Sequence, residues 1–179
     1  MTIDPAASPA PAALPFRTGR LTIRPLSLGD VEAMHAAYSD PEVTRFIPGG
    51  VRDMDGTRQR VSDLIAHHDR HGVSKWAVTL TDSSTLIGDC GLQFLPGRAE
   101  LELGFHFARA YWGCGYAAEA ASACLAWALA NRSERIVAIV DPQHMASQRV
   151  LTKVGMHPVG YEEMLDHNWV VYEVGRRAN

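Results

Sequence analysis

The amino-acid sequence predicts an α+β fold with one mixed, mostly antiparallel central sheet of about seven strands, flanked by about four helices. The first observation is a block of three segments, residues 76–80, 86–94 and 100–107, which are rich in strand-forming residues and separated by turn residues. This block is typical of an antiparallel meander. The second observation is the order of extended and helical patterns, βααβββαβαββ, which lacks the strict alternation of a parallel α/β sheet.

One strand and two helices are predicted before the meander. Residues 21–26 alternate apolar and polar side chains and end at a proline, as a first strand would. Asp30 precedes a helical segment that runs through Tyr38, so we expect it to be the N-cap. A loop through residues 46–50 then leads to a second helix at about residues 57–70.

Two helices and three strands are predicted after the meander. A long helix at about residues 115–130 carries alanines, leucines and a tryptophan that suit packing on a sheet. Residues 136–140 are uniformly apolar, which favours a central strand covered on both faces. A helix near residues 146–154 and short strands near 157–161 and 169–173 complete the fold.

Length and charge exclude several classes of protein. The 179 residues fit one domain, at 17–179, preceded by an Ala/Pro-rich tail at 1–16 that we expect to be flexible. The 17 basic and 20 acidic residues are too balanced for a nucleic-acid binder. No apolar run is long enough to cross a membrane. The three cysteines show no zinc or disulfide spacing, so we expect a cytoplasmic protein without a bound metal.

The segment from Arg109 to Ala120 lies between a predicted strand and the long helix. Gly113 and Gly115 allow a sharp turn and close approach of a ligand, and the free N–H groups of a helix start favour an anion. Neither a P-loop nor a Rossmann spacing is present. We call residues 112–118 the phosphate cradle, although an isolated pair of glycines before a helix more often forms a simple tight turn.

Several segments resemble the GNAT superfamily of N-acetyltransferases, and especially its ribosomal-protein N-terminal acetyltransferases. The family motif Gln/Arg-x-x-Gly-x-Gly/Ala corresponds to Trp112, Gly115 and Ala117, with Trp112 replacing the polar residue. The strands around residues 20–26, 86–88 and 102–105 resemble the same branch in the same order. The resemblance implies a GNAT-like sheet and acetyl-CoA as cosubstrate.

The resemblance also implies which residues contact acetyl-CoA. The strand before the cradle would offer backbone groups to the pantetheine arm, while the ring of His106 would serve packing. His144 stands where the family usually has asparagine, and Leu151 replaces a tyrosine that protonates the thiolate in many members. The expected cofactor-binding residues are Phe105, His106, Phe107, Trp112, Gly113, Cys114, Gly115, Tyr116, Ala117, Ala118, His144 and Ser147.

Two residues are candidates for catalysis by direct attack of an amine on the thioester in a ternary complex. Glu102, on the strand before the cradle, would remove the amine proton, unless it makes only a structural bond in the sheet. Ser147 would donate a hydrogen bond to the leaving thiolate or the pantetheine, and helix N-capping is its alternative role. Cys114 and Cys124 lack the His/Asp arrangement of a nucleophile.

The acceptor is expected to be a small-molecule or peptide amine. Its pocket would be formed by residues 46–48 and 162–167, where three carboxylates, Glu162, Glu163 and Asp166, could attract a cation, although a solvated loop is the alternative. A metal pair at His67 and His71 lacks a third ligand. A homodimer is the default assembly. The alternative functions are a noncatalytic acyl-CoA-binding module and a partner-binding domain without a cofactor.

Overall fold

The computed structural model of the protein describes residues 14–95, 97–132, 135–164 and 166–175. The tail prediction falls largely on residues 1–13, outside these ranges. Phe16, which we assigned to the tail, lies in a strand and packs edge-on against Trp76 with a ring separation of 6.1 Å. The folded domain therefore begins before the expected boundary at residue 17.

The described residues form eight strands and five helices. The strands are β1 Phe16–Arg17, β2 Leu21–Arg24, β3 Lys75–Leu80, β4 Leu86–Phe94, β5 Leu101–Phe107, β6 Arg135–Val140, β7 His157–Met164 and β8 His167–Gly175. The helices are α1 Val31–Tyr38, α2 Pro41–Thr44, α3 Met54–His71, α4 Tyr116–Asn131 and α5 Met145–Lys153. The short elements β1 and α2 are the two that the sequence analysis did not anticipate.

The strands form one sheet in the order β1-β2-β3-β4-β5-β6-β8-β7. Every neighbouring pair is antiparallel except β5 and β6, which are parallel because the crossover helix α4 connects them. This confirms the predicted α+β class with a mixed, mostly antiparallel sheet. It also puts the carboxyl ends of β5 and β6, and hence the N-termini of α4 and α5, at the same edge of the sheet.

Two apolar clusters cover the faces of the sheet. The larger lies between the sheet and α4, where Trp127 meets Trp76 edge to face at 5.0 Å. The smaller includes Met34 of α1, Leu64 of α3 and Ala77 of β3. Successive residues of β6 are buried from Ile136 to Ala138, as the apolar run predicted. No helix in the described ranges is long and apolar enough to cross a membrane.

Asp30 occupies the N-cap position of α1, as predicted, although its side chain makes no cap bond there. Its carboxylate instead accepts from the N–H of Ser27 and from the Arg24 guanidinium, at 2.7–2.8 Å. Helix α3 begins three residues before the predicted position of 57, because the Asp53 side chain accepts from the N–H of Gly56 at 2.7 Å.

Candidate active site

A cleft opens between the parallel strands β5 and β6. The two strands pair only at Leu101 with Ile136 and at Glu102 with Val137. On its other edge β5 pairs with β4 along all of its residues, from Leu101 to Phe107. The β5 edge that faces β6 is therefore left without a strand partner beyond Glu102. A splayed strand of this kind is what the family resemblance implied.

The backbone groups that face the cleft belong to alternate residues of β5. The carbonyl oxygen of His106 lies against β4, where a Cβ on Gly88 would collide with it, and the N–H of Ala108 donates to Ile87 at 3.0 Å. Phe105 and Phe107 consequently turn their backbone groups toward β6. For His106 the expectation of backbone contacts to a cofactor needs correction, because its carbonyl points away from the cleft.

Trp112 closes the outer end of β5. Its indole N–H donates to the Phe107 carbonyl at 2.7 Å, while 46% of the residue stays exposed. The carbonyl that Phe107 would offer to a ligand is thus already occupied, and the backbone of Phe105 remains open. A tryptophan can therefore replace the usual polar residue of the motif, because its ring N–H forms a hydrogen bond that holds the start of the cradle against β5.

The phosphate cradle has the backbone geometry expected of an anion site. Gly113 and Gly115 have φ of 75° and 82°, which side chains other than glycine rarely adopt. Gly115 occupies the N-cap of α4 with no side-chain cap, so the N–H groups of the first turn lack intrahelical acceptors. A Cβ placed on Gly113 would meet nothing within 4 Å. The conformation, and not crowding, therefore requires these glycines.

A first cavity of about 370 Å³ adjoins the cradle. It brings together two basic side chains that the sequence analysis did not assign to the site, Arg20 before β2 and Lys153 at the end of α5. Ser122 of α4 adds a hydroxyl. No local sequence pattern could have identified these residues, because Arg20 and Lys153 are more than 130 positions apart and meet only through the fold.

Arg20 fastens the cradle to the start of the sheet. Its guanidinium donates to the carbonyl of Cys114 at 3.0 Å and pairs with Glu119 at 2.7 Å, and it lies over the Tyr116 ring at 4.5 Å. Burial by itself raises the pKa of Glu119. Hydrogen bonds from the Thr18 hydroxyl and from Arg20 outweigh burial and hold that pKa below its ordinary value. Glu119 therefore stays ionised and partly offsets the positive charge of Arg20.

A buried polar network lies on the opposite face of the sheet, beneath α1. Asp89 of β4 is completely buried and accepts hydrogen bonds from the Tyr38 hydroxyl and from Nδ1 of His106, the latter at 3.0 Å. The amine of Lys75 occupies the space that a side chain at Gly104 would need. As expected, the His106 ring does pack, against Tyr38 at 5.8 Å, but it is also hydrogen-bonded to a buried carboxylate.

Glu102 lies on the same face of β5 as His106 but at the closed end of the cleft. Its neighbours are Gln93 of β4 and Val137 of β6, and Gln93 accepts a hydrogen bond from Arg60 at 2.8 Å. Four residues along a strand correspond to about 13 Å, so Glu102 and His106 face different parts of the cleft. The side chain of Glu102 is partly exposed.

The N-terminus of α5 contains His144 and Ser147 in different roles. His144 occupies the N-cap position and its ring stacks on Phe46 at 4.5 Å. Burial is the main cause that lowers the pKa of His144; the positive charge of His106 lowers it further, while Asp141 opposes this. Ser147 is the third helical residue, and its hydroxyl makes no hydrogen bond within the described ranges. The alternative role of Ser147 as N-cap is therefore wrong.

A second cavity of about 230 Å³ lies where we expected the acceptor. Residues 46–48 form one wall, and Trp169 and His167 form the other. The carboxylate in this cavity is Asp141, which is 3.0 Å from Nε2 of His167. The expectation that Glu162, Glu163 and Asp166 supply the carboxylates needs correction, because none of the three lines this cavity and Glu162 pairs with Arg98.

The cysteines and the histidines of α3 have other surroundings. Burial raises the pKa of the Cys90 thiol, to which neighbouring Cys124 contributes, whereas Cys114 is exposed in the cradle. Both ring nitrogens of His67 contact backbone groups, at 2.7 and 3.3 Å. The ring lies 4.6 Å from His71. Within the described residues, no group of three or more potential ligands is arranged to hold a metal.

Comparison with known proteins points to one family. Residues 20–157 match the family model described as an acetyltransferase (GNAT) domain. YnaD of Bacillus subtilis (strain 168), an uncharacterized N-acetyltransferase, is 32% identical over 145 residues, which cover 80% of this chain and 83% of YnaD. The matched range contains both the cleft strands and the phosphate cradle.

Solved structures agree with this match. A GNAT-family acetyltransferase from Bacillus anthracis superimposes with a TM-score of 0.76 at 30% identity, over 88% of this chain and 94% of that one. RimL, a ribosomal L7/L12 alpha-N-protein acetyltransferase solved in complex with coenzyme A, gives a TM-score of 0.76 at 16% identity, over 95% and 99% of the two chains. The likeness to RimL concerns the fold.

Proposed function

This chain belongs to the GNAT acetyltransferase family, and from that premise we propose that it transfers an acetyl group from acetyl-CoA to a primary amine by direct attack in a ternary complex. The family membership makes the protein an acyltransferase. The direct mechanism, the amine and the residues that act are our proposal. The observation that supports this proposal most strongly is the cleft beyond Glu102, which opens at the sheet edge where α4 and α5 begin.

The donor side suits a thioester linked to a pyrophosphate. The amides of the phosphate cradle and the dipole of α4 favour the pyrophosphate, and Arg20 and Lys153 add positive charge in the first cavity. The open edge of β5 around Phe105 offers backbone groups to an extended pantetheine arm. His144, half-buried on Phe46, would lie beside that arm rather than replace the amide contacts of the usual asparagine.

The reaction requires three contributions from the protein. One proton must leave the ammonium so that the nitrogen lone pair can attack the thioester carbon. The C–N bond then forms and the C–S bond breaks, and the nitrogen must lose a second proton to become a neutral amide. A donor must also stabilise the departing thiolate. We propose Ser147 as that donor, because its hydroxyl is uncommitted in the first turn of α5. The sequence pattern favours Glu102 as the proton acceptor, and His106 lies on the same face of β5.

The second cavity is our candidate for the acceptor pocket. Phe46 and Trp169 provide apolar walls for the carbon skeleton of an amine, and Asp141 supplies negative charge for its cationic head. A small-molecule or peptide amine fits this description. The three cysteines are free thiols, which supports our proposal of a cytoplasmic enzyme. A homodimer stays a prediction.

The proposal is tested in two stages. Acetyl-CoA at 100 times its dissociation constant should stabilise the fold by about 2.7 kcal/mol, measured as a thermal shift. Thiol release from acetyl-CoA is then followed across a panel of primary amines that includes peptides with free α-amines. We expect release that depends on one class of amine. A thermal shift without release for any amine favours the noncatalytic acyl-CoA-binding module, and no shift at all contradicts both cofactor-dependent functions.

A further inference from the structure

The side chain of His106 is held in one orientation by the buried network under α1. Asp89 accepts from its Nδ1 at 3.0 Å, and Tyr38 contacts the ring edge-on at 5.8 Å. The His106 side chain keeps 17% of its surface exposed, whereas Asp89 keeps none. The imidazole therefore has one nitrogen in the protein interior and one edge turned toward solvent.

The pairing with Asp89 decides which ring nitrogen can accept a proton. An ionised carboxylate accepts only, so Nδ1 must carry the hydrogen and Nε2 of the neutral ring keeps its lone pair. Nε2 of His106 makes no hydrogen bond to any residue that the structure describes. The ring is thus oriented and polarised in the way that a carboxylate prepares a histidine for proton transfer.

Several interactions keep Asp89 ionised in spite of its burial. Burial alone raises the pKa of Asp89. The charge of His106 when its ring is protonated, the hydrogen bond from His106, the charge of Lys75 and the Tyr38 hydroxyl outweigh burial and hold that pKa below its ordinary value. A completely buried carboxylate costs free energy of folding. Among the described partners of Asp89, the imidazole of His106 is the one that reaches solvent.

We infer that His106 is the group that takes the proton from the acceptor amine, with Asp89 and Tyr38 as positioning residues. The inference rests on the proposed acetyl transfer. An N–H bond of the ammonium breaks, its proton moves to Nε2, and the freed lone pair attacks the thioester carbon. As the C–S bond breaks, the nitrogen loses its second proton to the departing thiolate, which leaves a neutral amide and free thiol. His106 then releases its own proton to water, which restores the neutral ring.

The position of His106 favours it over Glu102. His106 lies in the open part of β5 and near His144, whose pKa its charge lowers. His144 stacks on Phe46, which forms a wall of the second cavity. Glu102 lies where β5 and β6 still pair, about 13 Å away along the strand. Its negative charge remains suited to attracting a cationic acceptor.

The pH dependence of His106 will reflect all charged groups that face it. The ring contacts Asp89 of β4 and Tyr38 of α1, and it interacts electrostatically with His144 before α5. Lys75 of β3 acts on Asp89, and Arg60 of α3 acts on Tyr38.

The test compares His106→Gln with the wild type in kcat/KM against pH. The acceptor is the most active amine of the panel with a side-chain-like pKa of ~10.4, so that its own ionisation lies above the range studied. We expect His106→Gln to lose about 10²- to 10⁴-fold in kcat and to lose the acidic limb of the profile, with the acetyl-CoA thermal shift unchanged. Free imidazole should restore activity to His106→Ala.

Asp89→Asn and Glu102→Gln complete the comparison. Asp89→Asn should lower kcat about 10- to 100-fold, because the amide no longer fixes Nε2 as the acceptor. Glu102→Gln should raise KM for the amine and keep the acidic limb. If Glu102→Gln removes the limb while His106→Gln keeps it, or if imidazole rescues nothing, the inference is overturned and acetyl transfer stands. If the wild type acetylates no amine, the proposed function itself has failed.

Discussion

Replacement of Lys153 by alanine should weaken acetyl-CoA binding about fivefold. Lys153 lines the first cavity beside Arg20, and Arg20 is already paired with Glu119 at 2.7 Å. Lys153 is therefore the less compensated positive charge near the phosphate cradle. Two unit charges about 4 Å apart interact by ~1 kcal/mol in water and more near a protein surface. Since Lys153 is exposed, we use the lower value, about 1 kcal/mol, which is roughly fivefold in Kd.

The assay is isothermal titration with acetyl-CoA at low and high salt. The matched control is Arg149→Ala, which removes an equal charge from the same helix at an exposed position outside the first cavity. We expect Lys153→Ala alone to raise Kd, with the effect shrinking as salt screens the charge. Equal effects of the two variants, or a change in kcat without a change in Kd, would refute the placement of the phosphates in this cavity.

Three further changes follow from the local geometry. Gly115→Ala should cost about 1–2 kcal/mol in urea unfolding because φ is 82°, whereas Gly29→Ala, which meets only Ser27 at 3.5 Å, should cost much less. Ser147→Ala should lower kcat about ten- to hundredfold in steady-state assays while leaving the urea midpoint nearly unchanged, because Ser147 does not cap α5. Asp30→Asn should destabilise the fold at pH 7, and its difference from the wild type in urea unfolding should shrink as pH falls below the unfolded value. Burial raises the pKa of Asp30, but the Arg24 hydrogen bond and other contacts depress it overall, so its stabilisation is present above the unfolded value of ~3.9 and is lost as pH falls.

Most of the fold could be predicted from the sequence because its elements follow local periodicity. The meander and the buried strand β6 were found from strand-forming runs, and the long helix from its alanine-rich face. The elements that were missed are short. β1 has two residues and α2 has four, and such segments are stabilised by contacts with distant residues rather than by their own pattern.

In the candidate site as well, contiguous residues could be predicted from the sequence, and residues that meet only through the fold could not. The phosphate cradle could be predicted because its glycines, its helix start and its preceding strand are contiguous. The partners of His106 could not, because Tyr38 and Asp89 are 68 and 17 positions away and meet it through sheet register and helix packing. The positions of Arg20 and Lys153 in the first cavity could not be predicted for the same reason. The sequence around Glu102 also does not show whether the adjacent strand is still paired with β5 at that residue or has separated from it.

Direct transfer is tested by mass spectrometry, with an isotopic label on the acetyl group of acetyl-CoA. The purified protein is mixed with labelled acetyl-CoA and the amine that gives the fastest thiol release. We expect the label to appear on the amine nitrogen in an amount equal to that of free coenzyme A, with no labelled protein at any time. Label on the protein before the amine, or free coenzyme A without acetylated amine, would contradict direct transfer.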